Sequence, residues 1–97
     1  MKPEGQGQDR YALANLAITL LRGDRPSQAI PIFERALVVS PDDPSLWFEC
    51  SRAYYAERRL EETRTCIERA IELTPEAENY RRALDRLNQV IGSRPPP

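Results

Sequence analysis

The chain reads as all-α, built as a stack of antiparallel helix pairs, and three observations predict this. A block of residues recurs at a fixed offset, apolar positions recur at helical spacing, and turn or capping residues punctuate each helix. Phe33-Glu34-Arg35-Ala36-Leu37-Val38-Val39-Ser40-Pro41-Asp42 aligns with Ile67-Glu68-Arg69-Ala70-Ile71-Glu72-Leu73-Thr74-Pro75-Glu76, an offset of 34 residues. The register holds upstream. Leu13, Leu16, Ala17 and Leu20 pair with Trp47, Cys50, Ser51 and Tyr54, and Ala29 pairs with Thr63. A repeat of that length is one supersecondary unit, which buries its apolar face by stacking on its neighbours.

Five helices follow in order, near 10–22, 27–39, 44–57, 61–73 and 76–91. The first carries the stripe Leu13, Leu16, Ala17 and Leu20, and the second faces it with Ala29, Phe33, Ala36 and Leu37. Small residues at Ala17 and Ser51 let paired helices approach closely. Gly23-Asp24 ends the first helix. Pro31 conflicts locally with the second helix, at little cost if it lies near the start, or with a slight kink. Asp43-Pro44 and Thr74-Pro75 each read as an N-cap followed by proline at the first helical position. The acidic pairs Asp42-Asp43 and Glu61-Glu62 suit helix starts, where the macrodipole favours negative charge, better than they suit a catalytic dyad.

The fifth helix is expected to close the array. Trp47, Ser51 and Tyr54 have the polar counterparts Arg81, Asp85 and Asn88, whereas Leu46, Cys50 and Ala53 become Tyr80, Leu84 and Leu87, extended by Ile91. Such a helix packs backward and turns its forward side to water, as a solvating cap does. The expected organisation is a disordered segment over 1–9, a helical domain over 10–92 with repeats 10–43 and 44–77 and cap 76–91, and a disordered proline-rich tail over 93–97.

The spacing of these residues resembles the tetratricopeptide signature: W-x2-L-G-x2-Y, then A-x3-F, a later alanine and a closing proline. The second repeat keeps Trp47 and Tyr54; the first keeps Leu16, Ala29 and Phe33; both keep the later alanine (Ala36, Ala70) and the proline (Pro41, Pro75). Departures are Cys50 for leucine, Thr63 for alanine and Arg58 where a turn glycine is usual. The resemblance covers about residues 10–92. It implies a right-handed α-solenoid with a concave groove, lined by the first helix of each pair, that takes a peptide or a partner helix. Groove positions are then Tyr11, Ala14, Asn15, Ile18 and Leu21 from the first repeat and Ser45, Phe48, Glu49, Arg52 and Tyr55 from the second. The fifth helix adds Asn79, Arg82, Arg86 and Gln89. Ile18, Phe48 and Tyr55 would be apolar residues in a concavity ringed by arginine, the side-chain types that anchor binding surfaces. In the alternative, Ile18 and Leu21 pack under the N-terminal segment and Tyr55 covers helix backbone. The expected partner is a protein segment with apolar anchors and acidic residues. Family members that hold the acidic tails of heat-shock chaperones use a clamp of lysines, asparagines and an arginine. The matching positions here are Ala14, Ile18, Glu49, Asn79 and Ala83, so that partner is not expected.

Composition narrows the alternatives. The chain has no histidine, which removes Ser-His and Cys-His bases and His-ligated zinc, and no glycine-rich phosphate loop. With two cysteines, sixteen residues apart, neither a disulfide framework nor a four-ligand metal site is expected. Cys50 reads as a core residue and Cys66 as partly exposed. No enzyme activity and no cofactor are expected. A net charge of −1 argues against general nucleic-acid binding, and the arginines at 58, 59, 64, 81, 82 and 86 read as a solvated face. The polar start is unlike a signal peptide and no apolar stretch would span a membrane, so a soluble, reduced, cytoplasmic location is expected. The bias to thirteen arginines over one lysine, with the small size, points to a bacterial source. The leading function is an adaptor or chaperone-like module; the alternative is a structural protein that self-associates into homo-oligomers or scaffolds an assembly.

Overall fold

The computed structural model describes the backbone over residues 4–92 and the side chains over residues 11–92. These residues form five helices and no strand: α1 (Glu4–Arg22), α2 (Pro26–Val39), α3 (Pro44–Ala56), α4 (Leu60–Leu73) and α5 (Glu78–Gly92). α1 pairs with α2 and α3 with α4, while α2 against α3 and α4 against α5 stack the pairs. Stacking along one direction gives an elongated body, 57 × 30 × 19 Å. Its radius of gyration is 14.5 Å, against ~12.5 Å for a globule of this length.

Both hairpin turns use one device, 34 residues apart. Asp24 and Arg58 take left-handed backbone, φ 62° and 61°. The next residue's N–H reaches back to the last turn, Arg25 to the Leu20 carbonyl and Arg59 to the Tyr54 carbonyl, each at 2.9 Å. That is a Schellman closure, which satisfies carbonyls the helix end would leave unpaired. The left-handed residue is Asp24, and its neighbour Gly23 keeps ordinary backbone.

The expected caps divide. Asp43 opens α3, its Oδ1 accepting from Leu46 N–H at 3.3 Å, with Pro44 at the first helical position. Thr74 does not open α5: it closes α4, its N–H donating to the Ala70 carbonyl, and Pro75-Glu76 form a turn before the helix begins at Glu78. The repeat explains the shift, because Thr74 is equivalent to Ser40 and the residue equivalent to the Asp43 cap is Ala77. α1 begins at Glu4, six residues before the expected start, so residues 4–9 are helical rather than a disordered segment. Once a helix is nucleated on a packed body, each added residue gains a ladder bond, and a leading glutamate suits the dipole. Residues 1–3 and the tail over 93–97 lie outside the described residues. α2 runs unbroken through Pro31, which faces outward. Its missing N–H would have bonded the Ser27 carbonyl, on an exposed residue that water can reach.

The main core lies where α1, α2 and α3 meet. Ala17, Ala29, Phe33, Ala36 and Ala53 are fully buried there, with Ile30, Leu37, Leu46, Cys50, Tyr54 and Cys66 around them. Cys66 is 4% exposed, not partly exposed as its stripe suggested, because it turns toward Cys50 between α3 and α4. Leu16 departs the other way. It is 47% exposed, while its equivalent Cys50 is 1% exposed beneath α2. Nothing among the described residues lies over α1 as α2 lies over α3. Two polar contacts tie the repeats together: the Tyr54 hydroxyl donates to Glu34 Oε2 at 2.7 Å, and Trp47 Nε1–H donates to the Pro41 carbonyl at 2.8 Å. The Arg59 guanidinium lies 4.9 Å over the Tyr54 ring, a cation–π contact that closes the hairpin over this bridge.

Candidate functional site

On α3, Phe48, Ser51, Arg52 and Tyr55 follow one another at spacings of three and four, so they share a helix face. On α5, Ala83, Arg86, Leu87 and Val90 do the same. The two faces form the walls of a cleft of about 490 Å³, with Thr63 and Ile67 of α4 at its base. α5 lies chiefly against α4, and the rings of Phe48 and Tyr80, centroids 4.8 Å apart and tilted by 37°, hold its first half to α3. The cleft lies along its second half, where Val90 and, on the opposite wall, Tyr55 are 36% and 44% exposed.

Chemically the cleft is apolar with a basic rim. The Ser51 hydroxyl on the α3 wall and the Thr63 hydroxyl at the base donate to carbonyls of the chain itself, Ser51 to Phe48 and Thr63 to Arg59. No acidic residue lines it. Arg52 makes a loose contact to Glu49, 3.6 Å on an exposed face, and Arg86 pairs with no carboxylate among the described residues. Behind the α3 wall the two thiols perturb each other: Cys50 has its pKa pushed far up by Cys66 and then by burial, and Cys66 is drawn below the usual thiol range by Cys50. Both are buried, so the pair belongs to the core. No group of three potential metal ligands occurs among the described residues, and no helix there is long and apolar enough to cross a membrane. The arrangement can hold another molecule by burial and charge.

A family model described as tetratricopeptide repeat matches residues 20–87, most of the chain and nine of the ten cleft residues. The chain belongs to the tetratricopeptide repeat family. Two solved structures are similar to it. One, described as the MamA RS-1 ArsTM double mutant, superposes with a TM-score of 0.83 at 23% identity, over 87% of this chain and 47% of that one. The other, MamA 41-end from Desulfovibrio magneticus RS-1, has a TM-score of 0.81 at 23% identity, over 84% and 46%. At that identity the likeness is one of fold, and this chain spans about half the length of either. No curated protein matches the chain in sequence.

Within this tetratricopeptide repeat fold, the expected groove residues separate into three sets. Phe48, Arg52, Tyr55 and Arg86 line the cleft. Glu49 sits beside it through its contact to Arg52, and Arg82 is exposed, pairing with Glu78 at 3.3 Å. Tyr11 and Asn15 are exposed on α1, away from the cleft, whereas Ile18 and Leu21 are partly buried against the main core. The groove register left out Ser51, Thr63, Ile67, Ala83, Leu87 and Val90. The signal for the last three is the i, i+4, i+7 spacing of apolar residues on α5, of which only Leu87 belongs to the face expected to pack backward.

Proposed function

We propose that this chain is a protein-interaction module whose cleft between α3 and α5 holds a segment of a partner protein. The observation that carries the reading is an open apolar cleft, rimmed by Arg52 and Arg86, with no acidic residue in its lining. Concave apolar sites with a few directed polar groups are where ligands bind, and aromatic and arginine side chains supply most of the energy at such surfaces. The partner segment has apolar anchors and acidic residues. The chain acts as an adaptor or chaperone-like module, in the cytoplasm, without catalysis. Chaperone C-terminal tails are poor candidates, since Glu49 and Ala83 stand where the family's clamp carries basic or amide groups.

The test is affinity capture from source-cell lysate on wild type beside an Arg52→Glu, Tyr55→Ala double variant. Phe48 is spared because it holds Tyr80. A partner captured by wild type and lost by the folded variant is the expected result; a partner held equally by both would move the site elsewhere. A second reading, self-association, is favoured by the 47% exposure of Leu16 on α1. Light scattering across a concentration series separates the two, because a monomer at high concentration sinks the second.

A further inference from the structure

Given the cleft as the binding site, we infer that its occupant is an amphipathic α-helix, with large aliphatic side chains one helical turn apart and Asp or Glu residues flanking them. The first argument is the hydrogen-bond balance. Both walls and the base are helical, so their backbone groups are used in their own ladders and no strand edge is offered. An extended segment would bring one N–H and one C=O per residue into an apolar space. Against these the lining sets three hydroxyls, Ser51, Thr63 and Tyr55, and two of them already donate inward. They follow no strand-like repeat. A helix arrives with its own backbone satisfied and asks only for apolar contact.

The second argument is shape. The walls present ridges at the same three- and four-residue spacing, 48–51/52–55 on α3 and 83–86/87–90 on α5. Side chains at i, i+3 or i+4 and i+7 of a third helix fit between two such ridges. The third is charge. Each wall carries one arginine at the rim, Arg52 shared loosely with Glu49 and Arg86 without a carboxylate among the described residues. Acidic side chains on the flanks of the bound helix would meet both in charge-assisted hydrogen bonds, and like charge there would be rejected.

The experiment is selection of a displayed library of random peptides, about 14 residues and so four helical turns long, on the intact chain, followed by affinity measurement. Two variants accompany wild type, each checked for unchanged helicity: Arg52→Glu with Arg86→Glu, and Ile67→Phe, which fills the base of the cleft. The expected winners carry aliphatic residues at i, i+3 or i+4 and i+7 beside Asp or Glu, and they gain helicity on binding. They lose about tenfold or more in affinity to the double charge reversal, weaken as salt rises, and do not bind Ile67→Phe. Winners that contain proline mid-sequence, or that stay extended when bound, overturn the helix while leaving the cleft in place, provided Ile67→Phe abolishes them. Acid-poor helical winners indifferent to the charge reversal overturn the electrostatic part. Winners that bind Ile67→Phe as well as wild type, or no winners at all, overturn the cleft itself.

Discussion

Where α1, α2 and α3 meet, Phe33 sits fully buried at the base of the wedge, and Ile18 and Leu21 pack down beside it from the first helix. Where α3, α4 and α5 meet, the same three positions hold Ile67, Arg52 and Tyr55. The base side chain is smaller, and the wall residues reach out to solvent instead of folding inward. The first junction closes and the second keeps a cleft. One register, occupied twice, therefore gives a core and a site, and the six lining residues Phe48, Ser51, Arg52, Tyr55, Thr63 and Ile67 all differ from their equivalents Ala14, Ala17, Ile18, Leu21, Ala29 and Phe33. The two outer helices differ in the same spirit. Arg81, Asp85 and Asn88 turn a polar face outward on α5, while α1 shows water Leu16, at the position that Cys50 keeps covered.

The sharpest way to break this contrast is truncation at the two bases. Phe33→Ala would leave an enclosed cavity and cost about 3–5 kcal/mol, a large share of the ~5–15 kcal/mol that holds a domain of this size together. Ile67→Ala would open into space that solvent already reaches, so it loses transfer energy, about 2 kcal/mol, with little cavity term. Urea titration followed by circular dichroism gives both values. Equal losses would mean that the second junction is as tightly closed as the first.

Much of this was legible in the residues. The offset of 34 fixed the pairing of helices and the family, because Ala36 and Pro41 recur unchanged as Ala70 and Pro75, and Phe33 meets another large apolar residue, Ile67, one repeat on. Helix ends were read where a side chain does the capping, as at Asp43, and misread at Thr74, where a local dipeptide was preferred to the repeat's own register. The extension of α1 to Glu4 was hidden by Gly5 and Gly7, poor helix formers that adjoin a stable helix. Cys66 and Leu16 illustrate the limit for burial. Periodicity says which residues share a face, but whether a neighbour covers that face depends on the stacking of other helices. Six of the ten cleft residues were missed, two of them for a related reason. Ile67 and Leu87 are almost wholly buried and yet line it, so a residue needed for packing also shapes the site.

A smaller effect tests how far the two junctions are coupled. The bond from the Tyr54 hydroxyl to Glu34 joins the second repeat to the first. Tyr54→Phe should cost about 1 kcal/mol, below the usual range for a charged acceptor because Glu34 is largely exposed. Burial, then the bond to Glu34, pushes the tyrosine pKa up. The folded chain thus keeps a proton that the unfolded chain releases above about pH 10. Stability contributed by this group is complete below that pH and is lost as pH rises beyond it. Urea midpoints measured at rising alkaline pH should therefore fall more steeply for wild type than for Tyr54→Phe. Parallel slopes would show that the bridge carries no linkage between the repeats.

The smallest effects belong to the hairpin turns, where the repeats are most alike in geometry and differ in chemistry. Asp24 and Arg58 occupy the same left-handed position with nearly the same φ. A side chain there costs about 1–2 kcal/mol, less for aspartate, whose short polar group bonds locally. Glycine removes that strain but gives the unfolded chain more freedom, which returns roughly 0.5–1 kcal/mol. The balance differs between the turns. Arg58→Gly should stabilise by about 0.5–1 kcal/mol, while Asp24→Gly should come out near zero. Arg58 makes no ion pair among the described residues that the change would sacrifice, and the Schellman bond from Arg59 is a backbone contact that either residue permits. Thermal melts of the two single variants and the double variant decide it. A gain confined to Arg58→Gly means the turns differ only in side-chain tolerance of left-handed backbone. A gain at Asp24 of equal size would mean that aspartate is no better tolerated there than arginine, and that the two turns are equivalent after all.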